Sequence, residues 1–103
     1  MGIKKKNSAD ASSRAHVYYS GRVQGVGFRY TAERIALDLD LKGWVKNLPD
    51  GRVEIVCEGS RERIEGFLEK IRRSSLGPGI RRVACSWEEP TNEFGDFTVE
   101  FQL

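Results

Sequence analysis

Residues 15–39 read AHVYYSGRVQGVGFRYTAERIALDL, and a change of period inside this stretch decides the fold. In its first part Val17, Tyr19, Gly21 and Val23 alternate with His16, Tyr18, Ser20 and Arg22. A period of two places alternate side chains on opposite faces, as in a strand. From Phe28 the apolar positions become Phe28, Ala32, Ile35, Ala36 and Leu39, while Glu33, Arg34 and Asp38 fall elsewhere. That spacing draws one apolar stripe along a helix. Gln24-Gly25-Val26-Gly27 joins the two as a loop.

The same reading extends to both ends. Residues 43–48 (GWVKNL) predict a short strand, and Pro49-Asp50-Gly51 a tight turn. Over residues 52–58, Val53, Ile55 and Cys57 alternate with Glu54 and Glu58, predicting a partner strand. Ser60 is a candidate N-cap, Glu62 suits the helix dipole, and Ile64, Phe67, Leu68 and Ile71 form a second stripe. Gly66 within it costs about 1 kcal/mol relative to Ala, too little to break the pattern. Residues 74–79 read as a loop and 80–88 as a strand, with Val83, Cys85 and Trp87 in phase before Pro90. The last strand spans 96–102, with Phe97, Val99 and Phe101 inward. The order β-α-β-β-α-β-β predicts an α+β, ferredoxin-like split βαβ sandwich. Two helices would cover one face of a mainly antiparallel sheet of four to five strands. Right-handed crossovers restrict its assembly, and the fold alone carries no activity.

The chain has 103 residues, 39% apolar and 31% charged, which suits one soluble domain. No apolar run approaches the roughly 20 residues of a membrane-spanning helix. The start, MGIKKKNSAD, lacks the apolar core of a secretory signal, and Lys6 occupies the Ser/Thr position of a myristoylation site. Residues 1–14 read as a flexible polar tail and 15–103 as the domain. The tail holds Lys4, Lys5, Lys6 and Arg14 against Asp10, a net of +3. The rest has 13 basic and 14 acidic residues, a net of −1, so the formal +2 sits outside the domain. A nucleic-acid domain carries its basic face on the fold itself, so no nucleic-acid partner and no membrane are expected. Cys57 and Cys85 form no CxxC pair and His16 is the single histidine. A zinc site needs about four ligands, so no metal site is expected. Both cysteines read as buried strand positions in a reducing, cytoplasmic protein.

Chemistry concentrates in Gly21-Arg22-Val23-Gln24-Gly25-Val26-Gly27-Phe28-Arg29. Its glycines permit positive φ and close backbone approach. The loop feeds a helix N-terminus, where free N–H groups favour an anion. Arg29 adds a planar guanidinium, although a cation at a helix start opposes the dipole. No GK[ST] follows, and Tyr30 stands where a dinucleotide fingerprint needs its third glycine. From these residues alone, an anion site and a plain glycine-rich turn both stand.

Residues 21–29 resemble the signature of the acylphosphatase family. Gly43-Trp44-Val45-Lys46-Asn47, Gly51-Arg52-Val53 and Gly59 are similar to its second signature, and the segment from Glu88 to Phe101 to its end. The resemblance covers about residues 15–102. It implies a monomeric enzyme that hydrolyses small acyl phosphates to carboxylate and phosphate without metal or cofactor. It makes Arg29 the phosphate-binding arginine and Asn47 the residue that orients water. The backbone amides of Gln24, Gly25, Val26, Gly27 and Phe28 become the phosphate cradle. Tyr19 departs from the aliphatic residue usual at the signature's start.

An amide is no base near neutral pH, so Asn47 can orient water but not deprotonate it. The proton would pass to a phosphate oxygen of the substrate. Bland readings remain for the flanking residues: His16 as a solvated strand residue, Trp44 and Trp87 as packing, Arg22, Lys42 and Lys46 as surface charges. An RNA-binding module of the same layout would stack bases on aromatics of its first and third strands. Tyr18 and Tyr19 match the first only in part, and the third has no aromatic and carries Glu54 and Glu58.

Overall fold

The computed structural model describes residues 11–101. Five strands and two helices follow the expected order: β1 (Ser13–Gly21), α1 (Phe28–Asp38), β2 (Lys42–Asn47), β3 (Val53–Gly59), α2 (Arg61–Arg73), β4 (Ile80–Glu88) and β5 (Phe97–Glu100). They form one sheet in the order β4-β1-β3-β2-β5. The β1–β3, β1–β4 and β2–β3 pairs are antiparallel. The β2–β5 pair is parallel, which makes the sheet mixed. The core lies between the sheet and the helices. Val17, Tyr19, Val45, Val53, Ile55, Cys57 and Phe97 face Phe28, Ala32 and Ala36 of α1 and Ile64, Phe67 and Ile71 of α2. The Ser60 side chain caps α2 by accepting from the Arg63 N–H at 3.1 Å, with Glu62 in the first turn.

Several expectations are corrected. Ser13 and Arg14 belong to β1, paired with Gly59 and Glu58. They enter the sheet through backbone pairing and charge, which apolar periodicity does not detect. Residues 1–10, the rest of the expected tail, lie outside the described residues. Cys57 is buried, and burial pushes its thiol up to about 12. Cys85 is exposed, because β4 is an edge strand most of whose residues are open to solvent. Phe101 lies past the end of β5 and is 59% exposed. His16 is held rather than solvated: Nε2 lies 2.5 Å from Glu54 Oε2 and Nδ1 3.5 Å from Glu88 Oε2. Tyr19 is buried with its ring centroid 5.0 Å from that of Phe28, so the departure from the family pattern fills the core.

Glu58 is the single charged residue buried among those described. Its carboxylate accepts from the Thr91 N–H at 2.8 Å, the Asn92 N–H at 2.9 Å and Arg14 Nη1 at 3.0 Å. Burial alone would push its pKa up; the two backbone donors and the guanidinium outweigh that and hold it below the usual carboxylate range. A folded-state pKa below the unfolded value stabilises the fold above the unfolded pKa. That stability is lost as pH falls through the folded pKa. Glu58→Gln is expected to cost about 2–3 kcal/mol at pH 7. Thermal melts between pH 7 and pH 3 should also show a flatter acid limb than the parent. An acid limb identical to the parent's would uncouple this carboxylate from acid stability.

Candidate active site

The loop after β1 is built to leave its amides free. Gly25 and Gly27 have φ of 76° and 79°, in the left-handed region where a side chain is strained. Gly27 is also the N-cap of α1 and offers no side-chain cap. A Cβ on either glycine would meet nothing within 4 Å, so the backbone there borders open space. Among the described residues, no acceptor takes the backbone N–H groups of residues 24–28. The first helical hydrogen bond beyond the loop runs from the Thr31 N–H to the Gly27 carbonyl at 3.1 Å. Consecutive free N–H groups at a helix start form an anion-binding concavity. The Val26 side chain is exposed, at 45%.

The topology brings the other two expected residues to this end. Strands β1 and β2 each run antiparallel to β3, so both end at the same edge of the sheet. The loop leaves there, and Asn47 is the last residue of β2. Because β5 runs parallel to β2, with Glu100 beside Lys46, its C-terminal end also arrives there. Arg29 Nη1 donates to the Glu100 carbonyl at 3.2 Å, and its guanidinium lies 4.7 Å from the Phe101 ring centroid. The exposed Phe101 is thus a platform for Arg29. One donor of the guanidinium anchors it to β5, and the fork keeps further donors for an oxyanion.

Asn47 Oδ1 is buried and has no hydrogen-bond partner among the described residues. Buried polar atoms are nearly always paired, so an unpaired one asks for an explanation. Here it is an acceptor at the end of β2, at the same edge as the free amides.

Sequence reasoning placed only the Gln24 backbone in the site. In the structure the Gln24 side chain also acts: Nε2 donates to the carbonyls of Leu48 at 2.8 Å and Arg52 at 2.9 Å. The turn between β2 and β3 is closed separately, by Leu48 N–H to the Arg52 carbonyl at 2.8 Å and Gly51 N–H to the Leu48 carbonyl at 3.1 Å. Asp50 accepts from Arg52 Nε at 2.9 Å and from its N–H at 3.1 Å. The Arg52 backbone and side-chain donors hold that carboxyl below the usual range.

On the other side of the loop a recess of about 170 Å³ is lined by Arg22, Val26, Ser75, Leu76, Pro78 and Gly79. Among the described residues no group of three His, Cys, Asp or Glu could hold a metal ion. No helix there is long and apolar enough to cross a membrane.

Comparison with known proteins finds acylphosphatases by sequence and by structure. The family model described as Acylphosphatase matches residues 15–99. A protein named Acylphosphatase from Chloroflexus aurantiacus is 48% identical over 87 residues, 84% of this chain and 94% of that one. The crystal structure of acylphosphatase from Bacillus subtilis matches with a TM-score of 0.80 at 33% identity, over 85% of this chain and 98% of that one. The structure of an acylphosphatase from Coxiella burnetii matches with a TM-score of 0.73 at 38% identity, over 87% and 94%.

Proposed function

The chain belongs to the acylphosphatase family and hydrolyses the carboxyl–phosphate bond of acyl phosphates; from that premise we propose how its residues divide the work. The phosphoryl group sits against the N–H groups of residues 24–28, with Arg29 supplying a bidentate fork. Those donors meet the charge that spreads over the phosphoryl oxygens during transfer. Asn47 orients the attacking water. The observation that carries this reading is the buried, unpartnered Asn47 Oδ1 at the edge where the free amides lie. An oxygen in that position accepts a proton of a water molecule and aims its lone pair at phosphorus.

The balance of the step needs no strong acid or base. Water forms the new P–O bond as the bond to the acyl oxygen breaks, and the carboxylate leaves with the electron pair. The water proton passes to a phosphoryl oxygen of the substrate. All the proposed site residues come from one chain, so the proposed working unit is a monomer. The proposed compartment is the cytoplasm, which suits the free thiols Cys57 and Cys85.

Release of inorganic phosphate from benzoyl phosphate, followed with and without excess chelator, tests the metal-free chemistry. Equal rates are expected. Turnover that disappears only with chelator, and returns with an added divalent ion, would overturn it.

A further inference from the structure

We propose that the Gln24 carboxamide is a positioning residue that locks the phosphate loop to the strand end bearing Asn47, so that cradle and water-orienting group move as one body. This inference rests on the roles proposed above for the loop and Asn47.

The geometry is specific. Both protons of one –NH₂ are committed, to the Leu48 and Arg52 carbonyls, 24 and 28 positions away in the chain. Each carbonyl already accepts a backbone N–H that closes the turn. The turn therefore does not need Gln24; the loop does. A segment with two left-handed glycines and uncommitted amides has little of its own to fix its position. The bond to the Leu48 carbonyl, in the residue after Asn47, sets the distance between the cradle and the side chain that aims water. In-line attack is sensitive to that distance: a misplacement of about 1 Å can cost about 10²-fold in rate. A long amide suits the task. It reaches from the loop and donates twice, and its neutrality does not compete with Arg29 for the anion.

The test is a double-mutant cycle. Gln24→Met keeps length but removes both donors, and the turn keeps its own hydrogen bonds. It is expected to lower kcat about 10²-fold. KM for benzoyl phosphate and competitive inhibition by inorganic phosphate should each shift less than about threefold, because the amides and Arg29 remain. In an Asn47→Ala background the same substitution should lower kcat by no more than about twofold, since the group it positions is gone. Gln24→Leu, tested in parallel, removes both donors without adding charge and supplies the same cycle if the methionine variant folds poorly. A parent-like kcat in both variants would overturn the proposal. So would losses that multiply with that of Asn47→Ala, which would make Gln24 act independently of Asn47. Failure of the underlying reading is a different result: Asn47→Ala alone would then keep its activity.

Discussion

Asn47→Ala is expected to lower kcat for benzoyl phosphate about 10³-fold while inorganic phosphate still competes with nearly the parent's inhibition constant. The two halves of this expectation come from different parts of the site. In the proposed mechanism phosphate is held by the loop amides and Arg29, none of which uses the Asn47 side chain among the described residues. Asn47 presents a buried, unpartnered acceptor, and in the proposed mechanism it meets the nucleophile and not the bound anion. A residue that acts only in the transition state changes kcat and leaves ground-state binding alone. Steady-state kinetics with phosphate as inhibitor separates the two. Asn47→Asp is a useful companion: its size is similar, but its negative charge would oppose the phosphoryl group and weaken phosphate binding as well. Retained turnover in Asn47→Ala would remove Asn47 from the mechanism.

Arg29→Lys is expected to weaken inhibition by inorganic phosphate about 10²-fold and to lower kcat/KM at least as much. Charge is conserved in this substitution, so the loss isolates geometry. A guanidinium can donate to the Glu100 carbonyl, stack on Phe101 and still present a planar pair of donors. An ammonium has three donors around one point and no plane to stack. Once it reaches the Glu100 carbonyl, it cannot also form a fork to two phosphoryl oxygens. Phosphate competition in the variant measures this directly; an unchanged inhibition constant would show that the loop amides hold the anion by themselves. Circular dichroism melts distinguish this result from loss of the β5 contact, which would lower stability as well as affinity.

Much of the fold was legible because its signals are local. Alternation in residues 15–23, the switch of period at Phe28, the Ser60 cap and the turn at Pro49-Asp50-Gly51 each depend on near neighbours in the chain. Five strands and two helices follow from them. The candidate site residues Arg29 and Asn47 and the loop from Gln24 to Phe28 were named from residue types and the order of two signatures, and the fold brings them to one end of the sheet. Misreadings arose where position in the sheet outweighs pattern. Val83, Cys85 and Trp87 alternate as a buried strand would, yet β4 is an edge and Cys85 is exposed. Arg14 looked like tail because the residues before it are mostly polar, and its place depends on Glu58 and Glu88 across the sheet.

The sequence by itself determined the element types, the ferredoxin-like order and the candidate chemistry of an anion-binding loop with an arginine. Those depend on periodicity and on what each side chain can donate or accept. Tertiary structure alone decided that β5 lies parallel beside β2 and carries the Glu100 carbonyl to Arg29. It also placed the Gln24 amide on two carbonyls of a distant turn, and left Asn47 Oδ1 buried and unpaired. The physical reason is that backbone carbonyls look alike in every sequence. Which of them a side chain meets depends on strand order and register, and neither is written in the neighbourhood of Gln24 or Arg29.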